Sequence, residues 1–229
     1  MLVVIAIIAI LAASLFPAIQ SAMNQARATS LKTKGKSIWN AIRTANAERE
    51  PLGKYSLWPA DVGKKANGGN DKVTSEKGLD YWKFLFSKGD GEPVDDPELQ
   101  LVSDLTCTLL SGPGCPTAPS PKKLEEKHIA WSPAGVNDNT PGEMPFIVTK
   151  NADQVTSFSG TDGVSKDDDG DNDDIMELNR EKEPFRDKHV VWITIGGSSK
   201  DARRRYFTKP VFLGNTELKE GVTVSLWTL

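Results

Sequence analysis

Residues 1–19 read MLVVIAIIAILAASLFPAI, an apolar block interrupted only by Ser14 at the head of an otherwise hydrophilic chain. A serine hydroxyl inside a helix bonds back to a carbonyl one turn earlier, so Ser14 does not break the block. A run of about 18 or more apolar residues has the length of a bilayer-spanning helix. The block is therefore expected to hold the N-terminus in a membrane, or in something equally apolar. Two other uses stay open, a cleavable signal peptide cut near Ala22 and a plain membrane anchor. A signal peptide fits less well, because its apolar core usually stops at about 7–15 residues.

The following segment, QSAMNQARATSLKTKGKSIWNAIRTANAERE, is rich in good helix formers. Ala22, Met23, Ala26, Leu31, Ile38, Ile42 and Ala45 recur at helical spacing and make one narrow apolar stripe. Lys32, Lys34, Lys36, Arg43 and Arg49 fall on the wetter faces. Pro51 ends the pattern, since proline has no N–H to donate and clashes inside a helix. The pattern predicts one helix from near residue 1 to about residue 50, about 75 Å long. Its first half is apolar all round and its second half is amphipathic. Pro17 is expected to kink the apolar half or loosen one turn. Gly35 is a second weak point.

LVVIAIIAILAASLFPAI followed by an amphipathic helix resembles the N-terminal segment of type IV pilins and type II secretion pseudopilins. The resemblance covers residues 1–50 and is close over residues 2–18, including the proline at Pro17. It implies a structural subunit, not an enzyme, that polymerises with identical subunits into a helical filament. Leu2, Val3, Val4, Ile5, Ile7, Ile8, Ile10, Leu11, Leu15, Phe16 and Pro17 would form the filament core. It further implies a prepilin peptidase, an ATP-driven assembly machinery and storage in the inner membrane before assembly. The finished filament would lie at the cell surface or form a periplasmic pseudopilus. Family members carry a basic leader ending in Gly, then Phe-Thr-Leu-Ile/Val-Glu, ahead of the apolar run. Met1 stands where many of them have Met or Leu after that glutamate, so it is expected to be internal to a longer precursor. The charges nearest the block, Arg27, Lys32, Lys34 and Lys36, would by themselves place the rest of the chain in the cytoplasm. A basic leader would reverse that orientation. The alternative function is a membrane-anchored periplasmic or surface binding module that does not polymerise.

Two units are expected, the N-terminal helix at 1–50 and a globular head at 51–229. The head is rich in Gly, Pro, Asp and Lys, which suits a loop-rich fold with a modest core. A net charge of −3, with no basic run outside the helix and Arg203, Arg204 and Arg205, does not suggest a nucleic-acid partner. Residues 51–77 carry turn signals, residues 78–89 predict a short aromatic helix, and residues 95–110 could hold another. Strands are expected at 128–131, 145–150, 189–195, 206–212 and 222–229, where β-branched and aromatic residues concentrate. The turn after 195 is either Gly196-Gly197-Ser198-Ser199 or a longer loop through Arg205. The order predicts an α+β fold, with the amphipathic half-helix on a C-terminal antiparallel sheet. The pilin resemblance implies the same layout. FIVTKN at 146–151, followed by HVVWITIGG, also resembles the C-terminal strands of large pseudopilin-like proteins.

Cys107 and Cys115 flank TLLSGPG, a stretch able to fold back and bring the sulfurs together. A disulfide is expected if the head is exported, worth about 2 kcal/mol for so short a loop. Two free thiols are the alternative. The densest local chemistry is DDDGDNDD at 167–174. So many carboxylates repel unless a cation neutralises them, and calcium loops alternate Asp or Asn around a Gly. Asp167, Asp169, Asp171, Asp173 and Asp174 are the candidate ligands, against a solvated acidic loop as the plain alternative. No register makes this run an EF-hand. His128 and His189 fall in predicted strands and do not suggest zinc. No phosphate loop or nucleophile elbow is present, so no enzyme is expected. Trp82, Trp131, Trp192 and Trp227 fit core packing, and Trp58 beside Pro59 is the best candidate for an exposed aromatic.

Overall fold

The computed structural model describes residues 2–62, 77–152, 157–159, 176, 178–186, 188–213, 223–227 and 229. Helix α1 (Leu2–Arg49) runs 48 residues without interruption, straight through Pro17. The loosening expected there does not end or split the helix. A 3-10 turn, Glu50–Leu52, takes over at Pro51 and closes on Gly53 in the left-handed region. Among the described residues four short helices follow: α2 (Pro59–Val62), α3 (Gly78–Leu85), α4 (Cys107–Leu110) and α5 (Lys209–Leu213). The strands are β1 (Trp131–Pro133), β2 (Pro145–Thr149), β3 (Ser157–Ser159), β4 (His189–Thr194), β5 (Ser199–Arg203) and β6 (Thr223–Ser225). One sheet has the order β1-β2-β4-β5, antiparallel throughout, and β3 pairs with β6 in a second. The second sheet is tied to the first where Gly135 N–H donates to Ser225 and Trp227 N–H donates to Pro133. The fold is α+β, a long N-terminal helix packed on an antiparallel sheet.

The helix meets the sheet along β4 and β5. Its buried seam is Ala28, Leu31, Gly35, Ile38, Ile42 and Ala45, with Ala41 buried beside Ile42. The steps alternate between three and four residues, the a/d spacing that keeps one narrow stripe on one side of a helix. Ala22, Met23 and Ala26, expected on the same stripe, are exposed. The sheet runs out before them, because its terminal cross-strand pair is His189 with Arg203. Gly35 is a contact point and not a weak one. A Cβ built there would lie 2.6 Å from Ile193 Cγ1 and 2.9 Å from Trp131 Cη2. Only a residue without a side chain lets the helix axis come this close to the sheet.

Strand β4 is buried on both faces, as its unbroken HVVWIT run suggests. Ile193 meets the helix at Gly35. Trp192, one residue away and so on the opposite face, packs its ring 5.5 Å from Phe212 and 5.9 Å from Phe207. The hairpin between β4 and β5 is tight. Gly197 takes φ +84°, its N–H donates to Thr194, and Thr194 N–H donates to Ser198. The Gly-Gly-Ser-Ser turn is therefore the one used, and the strand after it is Ser199–Arg203. The strand expected at 206–212 is instead a 3-10 turn, Arg204–Tyr206, followed by α5. Pro210 cannot donate to a sheet ladder but is tolerated in the first turn of a helix. The strand expected at 128–131 starts only at Trp131, because residues 126–128 form a 3-10 turn in which His128 Nδ1 accepts from Glu125 N–H at 3.1 Å. Residues 95–110 hold a 3-10 turn, Pro97–Leu99, and α4, with irregular chain between them.

Trp82, Trp131, Trp192 and Trp227 are buried as expected. Trp58 is not the exposed aromatic its loop suggested. It is only 2% exposed, sits edge-on to Phe146, and its Nε1 donates to Asp138 Oδ1 at 2.6 Å. The partner that satisfies the indole N–H comes from a loop distant in sequence.

Candidate functional site: the free half of the N-terminal helix

From residue 3 to residue 19 every described side chain of the helix is exposed. Val3, Val4, Ile5, Ile7, Ile8, Ile10, Leu11, Leu15, Phe16 and Ile19 are each between 52% and 70% exposed. Large exposed apolar patches on a folded protein mark surfaces that something else covers. Burying these ten side chains would contribute roughly 15–30 kcal/mol relative to water. Ser14 Oγ donates back to Leu11 O at 2.9 Å, so the lone hydroxyl in the block is satisfied within the helix. Among the described residues, α1 is the one helix long and apolar enough to cross a membrane. Such a helix could anchor the chain in a bilayer. Of the candidate core residues, the side chains of Leu2 and Pro17 lie outside those described.

What makes this surface usable is its attachment. Polar contacts to the sheet and to Ser111 fix the docked half of α1 in addition to the apolar seam. Lys32 pairs with Asp201 on β5, whose other oxygen meets His189 Nε2 at 2.8 Å. Lys34 Nζ donates to Ser111 O at 3.0 Å and to Ser111 Oγ at 3.1 Å. Trp39 Nε1 donates to Ile195 O at 2.8 Å, with the indole laid against Gly197 and the Arg43 guanidinium 5.1 Å from its ring. The free half is thus rigidly continuous with a helix clamped to the sheet at several points.

The Lys32–Asp201–His189 cluster makes the clamp sensitive to acid. Burial pushes His189 below its ordinary value of 6.5, outweighing the pull of the Asp201 carboxylate in the other direction. Burial alone would raise Asp201, but hydrogen bonds from Lys32 and His189 outweigh it and hold the carboxyl below its ordinary 3.8. Both groups bind protons more readily in the unfolded chain. Stability is therefore full above 6.5, falls as pH drops from 6.5 toward the lowered value of His189, and falls again below 3.8 as Asp201 titrates. Thermal melts against pH should show both steps. His189→Asn should flatten the first step and leave the second.

Cys107 and Cys115 are free thiols in this structure, where a bridge was expected. Cys107 opens α4 with Asp95 in its field, whereas Cys115 is buried beside Lys150 and Glu183. The turn between them is closed by the backbone, through reciprocal hydrogen bonds between Gly112 and Cys115. Burial raises both thiols above their usual range, which keeps them protonated at neutral pH. The acidic run with Asp167, Asp169, Asp171, Asp173 and Asp174 lies outside the described residues. Among the described residues no group of three or more metal-ligating side chains comes together. The sequence missed the Lys32–Asp201–His189 cluster, since its members lie on three elements and β5 itself was not foreseen. Compared with protein-family profiles, curated proteins and solved structures, the chain has no match.

Proposed function

We propose that this chain is a structural subunit of a helical filament of the type IV pilus or type II secretion pseudopilus kind. One observation carries the proposal: a single unbroken helix whose second half is clamped to the head and whose first half is apolar, with every described side chain in it exposed. A soluble domain gains nothing from such an extension. A surface of this kind can be satisfied by lipid or by copies of itself. Leaving lipid yields little hydrophobic free energy, because the side chains are already out of water there. Close packing against identical helices must supply the difference, and transfer from membrane to fibre needs external work. A head-to-tail contact that repeats without closing generates a helical fibre with the heads outside.

Electron microscopy of filaments sheared from native cells, with the constituent protein identified by N-terminal sequencing, tests this directly. Long fibres built from this chain are expected. Cells that make the protein in quantity but yield no fibres containing it would overturn the proposal in favour of a membrane-anchored module that does not polymerise.

A further inference from the structure

A cavity of about 260 Å³ opens where the helix leaves the head. Ser21, Asn24 and Gln25 of α1 form one wall, and Lys188, His189 and Arg203 form the other. The two basic residues stand at the open end of the β4–β5 pair, where His189 is paired in register with Arg203. Arg203 Nη2 reaches Ser21 Oγ at 3.4 Å and so leans across the mouth. His189 is buried and its Nε2 is engaged by Asp201. That leaves an ammonium, a guanidinium, two carboxamides and a hydroxyl facing one space. No carboxylate is among the described lining residues. A donor-rich, net positive cavity of this size fits a tetrahedral oxyanion with several acceptor oxygens.

Depth along the helix names the source of that anion. Residues 2–19 span about 27 Å at 1.5 Å per residue, close to the roughly 30 Å of a bilayer's hydrocarbon core. Ser21, Asn24 and Gln25 therefore stand about 3–9 Å beyond the end of the apolar block. The polar headgroup zone occupies roughly 5–8 Å on each side of the hydrocarbon. Arg205 and Tyr206, two and three residues after Arg203, are both exposed, the Arg205 guanidinium 4.7 Å from the ring. Exposed Arg and Tyr are side chains that settle at a membrane interface.

We infer that the neck cavity binds the phosphate of an anionic phospholipid headgroup while the apolar half of α1 is in the bilayer. This rests on the membrane-stored state of the proposed function, though not on polymerisation. In that state the headgroup holds the head close to the membrane surface through Lys188 and Arg203.

The full-length chain reconstituted in nanodiscs of phosphatidylcholine with a minority of phosphatidylglycerol provides the test. Lipid retained on the protein after mild detergent extraction is counted by native mass spectrometry. Phosphatidylglycerol should be enriched over its bulk fraction. Lys188→Gln and Arg203→Gln should each reduce that enrichment about fivefold, the effect of one basic side chain near an anionic surface. Lys122→Gln and Lys127→Gln, exposed and remote from the cavity, should leave it unchanged. Equal loss in all four variants, or no enrichment in the inserted wild type, overturns the inference while leaving the filament proposal standing. Displacement of the lipid by inorganic phosphate also overturns it, because the occupant is then a free anion. Failure of the wild type to enter the nanodisc removes the membrane-stored state and this inference with it.

Discussion

A full-length chain carrying Ile8→Asp is expected to form no filaments while its head folds and melts as the wild type does. Ile8 lies near the middle of the free apolar half and is 60% exposed, with no contact to the head. The substitution therefore cannot act by disturbing the head's core. In a bilayer, a carboxylate at mid-span costs about 2.5–3.5 kcal/mol on insertion scales. In a packed bundle of identical helices the cost recurs in every subunit, because each buried charge would lack a partner. Ile10→Asp should behave in the same way, and Ile8→Leu should retain assembly because it conserves volume and polarity. The readouts are fibre yield by electron microscopy and tryptophan fluorescence melts of the detergent-solubilised protein. Fibres at normal yield from either aspartate variant would sink the assignment of this surface to subunit packing.

The second large effect is expected at Gly35. Gly35→Ala adds a methyl group where Ile193 and Trp131 already stand inside contact distance. Relief of the glycine's poor helix propensity returns about 1 kcal/mol. Overpacking costs about 1–3 kcal/mol. Steric cost wins, because both clashing neighbours are themselves fully buried and have no free space to move into. Alanine should lower stability by up to about 2 kcal/mol net. Leucine at the same position cannot be accommodated with the helix in place, so α1 should detach from the sheet. Urea unfolding monitored by tryptophan fluorescence checks the alanine variant. Hydrogen exchange of α1 amides checks the leucine variant, since detachment would strip protection from residues 28–45 first. Full protection of that segment with leucine at 35 would show that the helix does not seat on Ile193 and Trp131.

These two positions show what a sequence discloses and what it withholds. The apolar block, the length of α1, the aromatic helix α3 and strands β2 and β4 all carry local signals. They were legible from hydrophobic runs, spacing and the stop at Pro51. Gly35 was visible too, but its meaning was not. A glycine in a helix is a local cost, and only the nearness of Ile193 and Trp131 turns it into a requirement. Trp58 looked exposed because its neighbours are loop-like, and the carboxylate that satisfies it lies on a distant loop. Strand β5 reads SKDAR, with no β-branched residue, because an edge strand guards its free side with charge instead of filling a core. The helical segment α5 hid behind aromatic residues that resemble a strand, although Thr208-Lys209-Pro210 carries a helix-start pattern. The candidate surface itself was readable. Its clamp was not, since Lys32, Asp201 and His189 meet only after the hairpin has folded.

The seam of Ala28, Leu31, Gly35, Ile38, Ile42 and Ala45 has a mechanical consequence. A pull applied to the free end of α1 acts along the helix axis, parallel to the seam. Side chains interlocked along that axis are loaded together, in shear, and none can be peeled away ahead of the next. The Trp39 and Lys34 hydrogen bonds share the same load. A pull perpendicular to the axis would instead open the seam one turn at a time, starting at Ala28. The molecule is built as a strong link in tension along its helix and a weak one in peel, so the direction of force decides whether the head stays on.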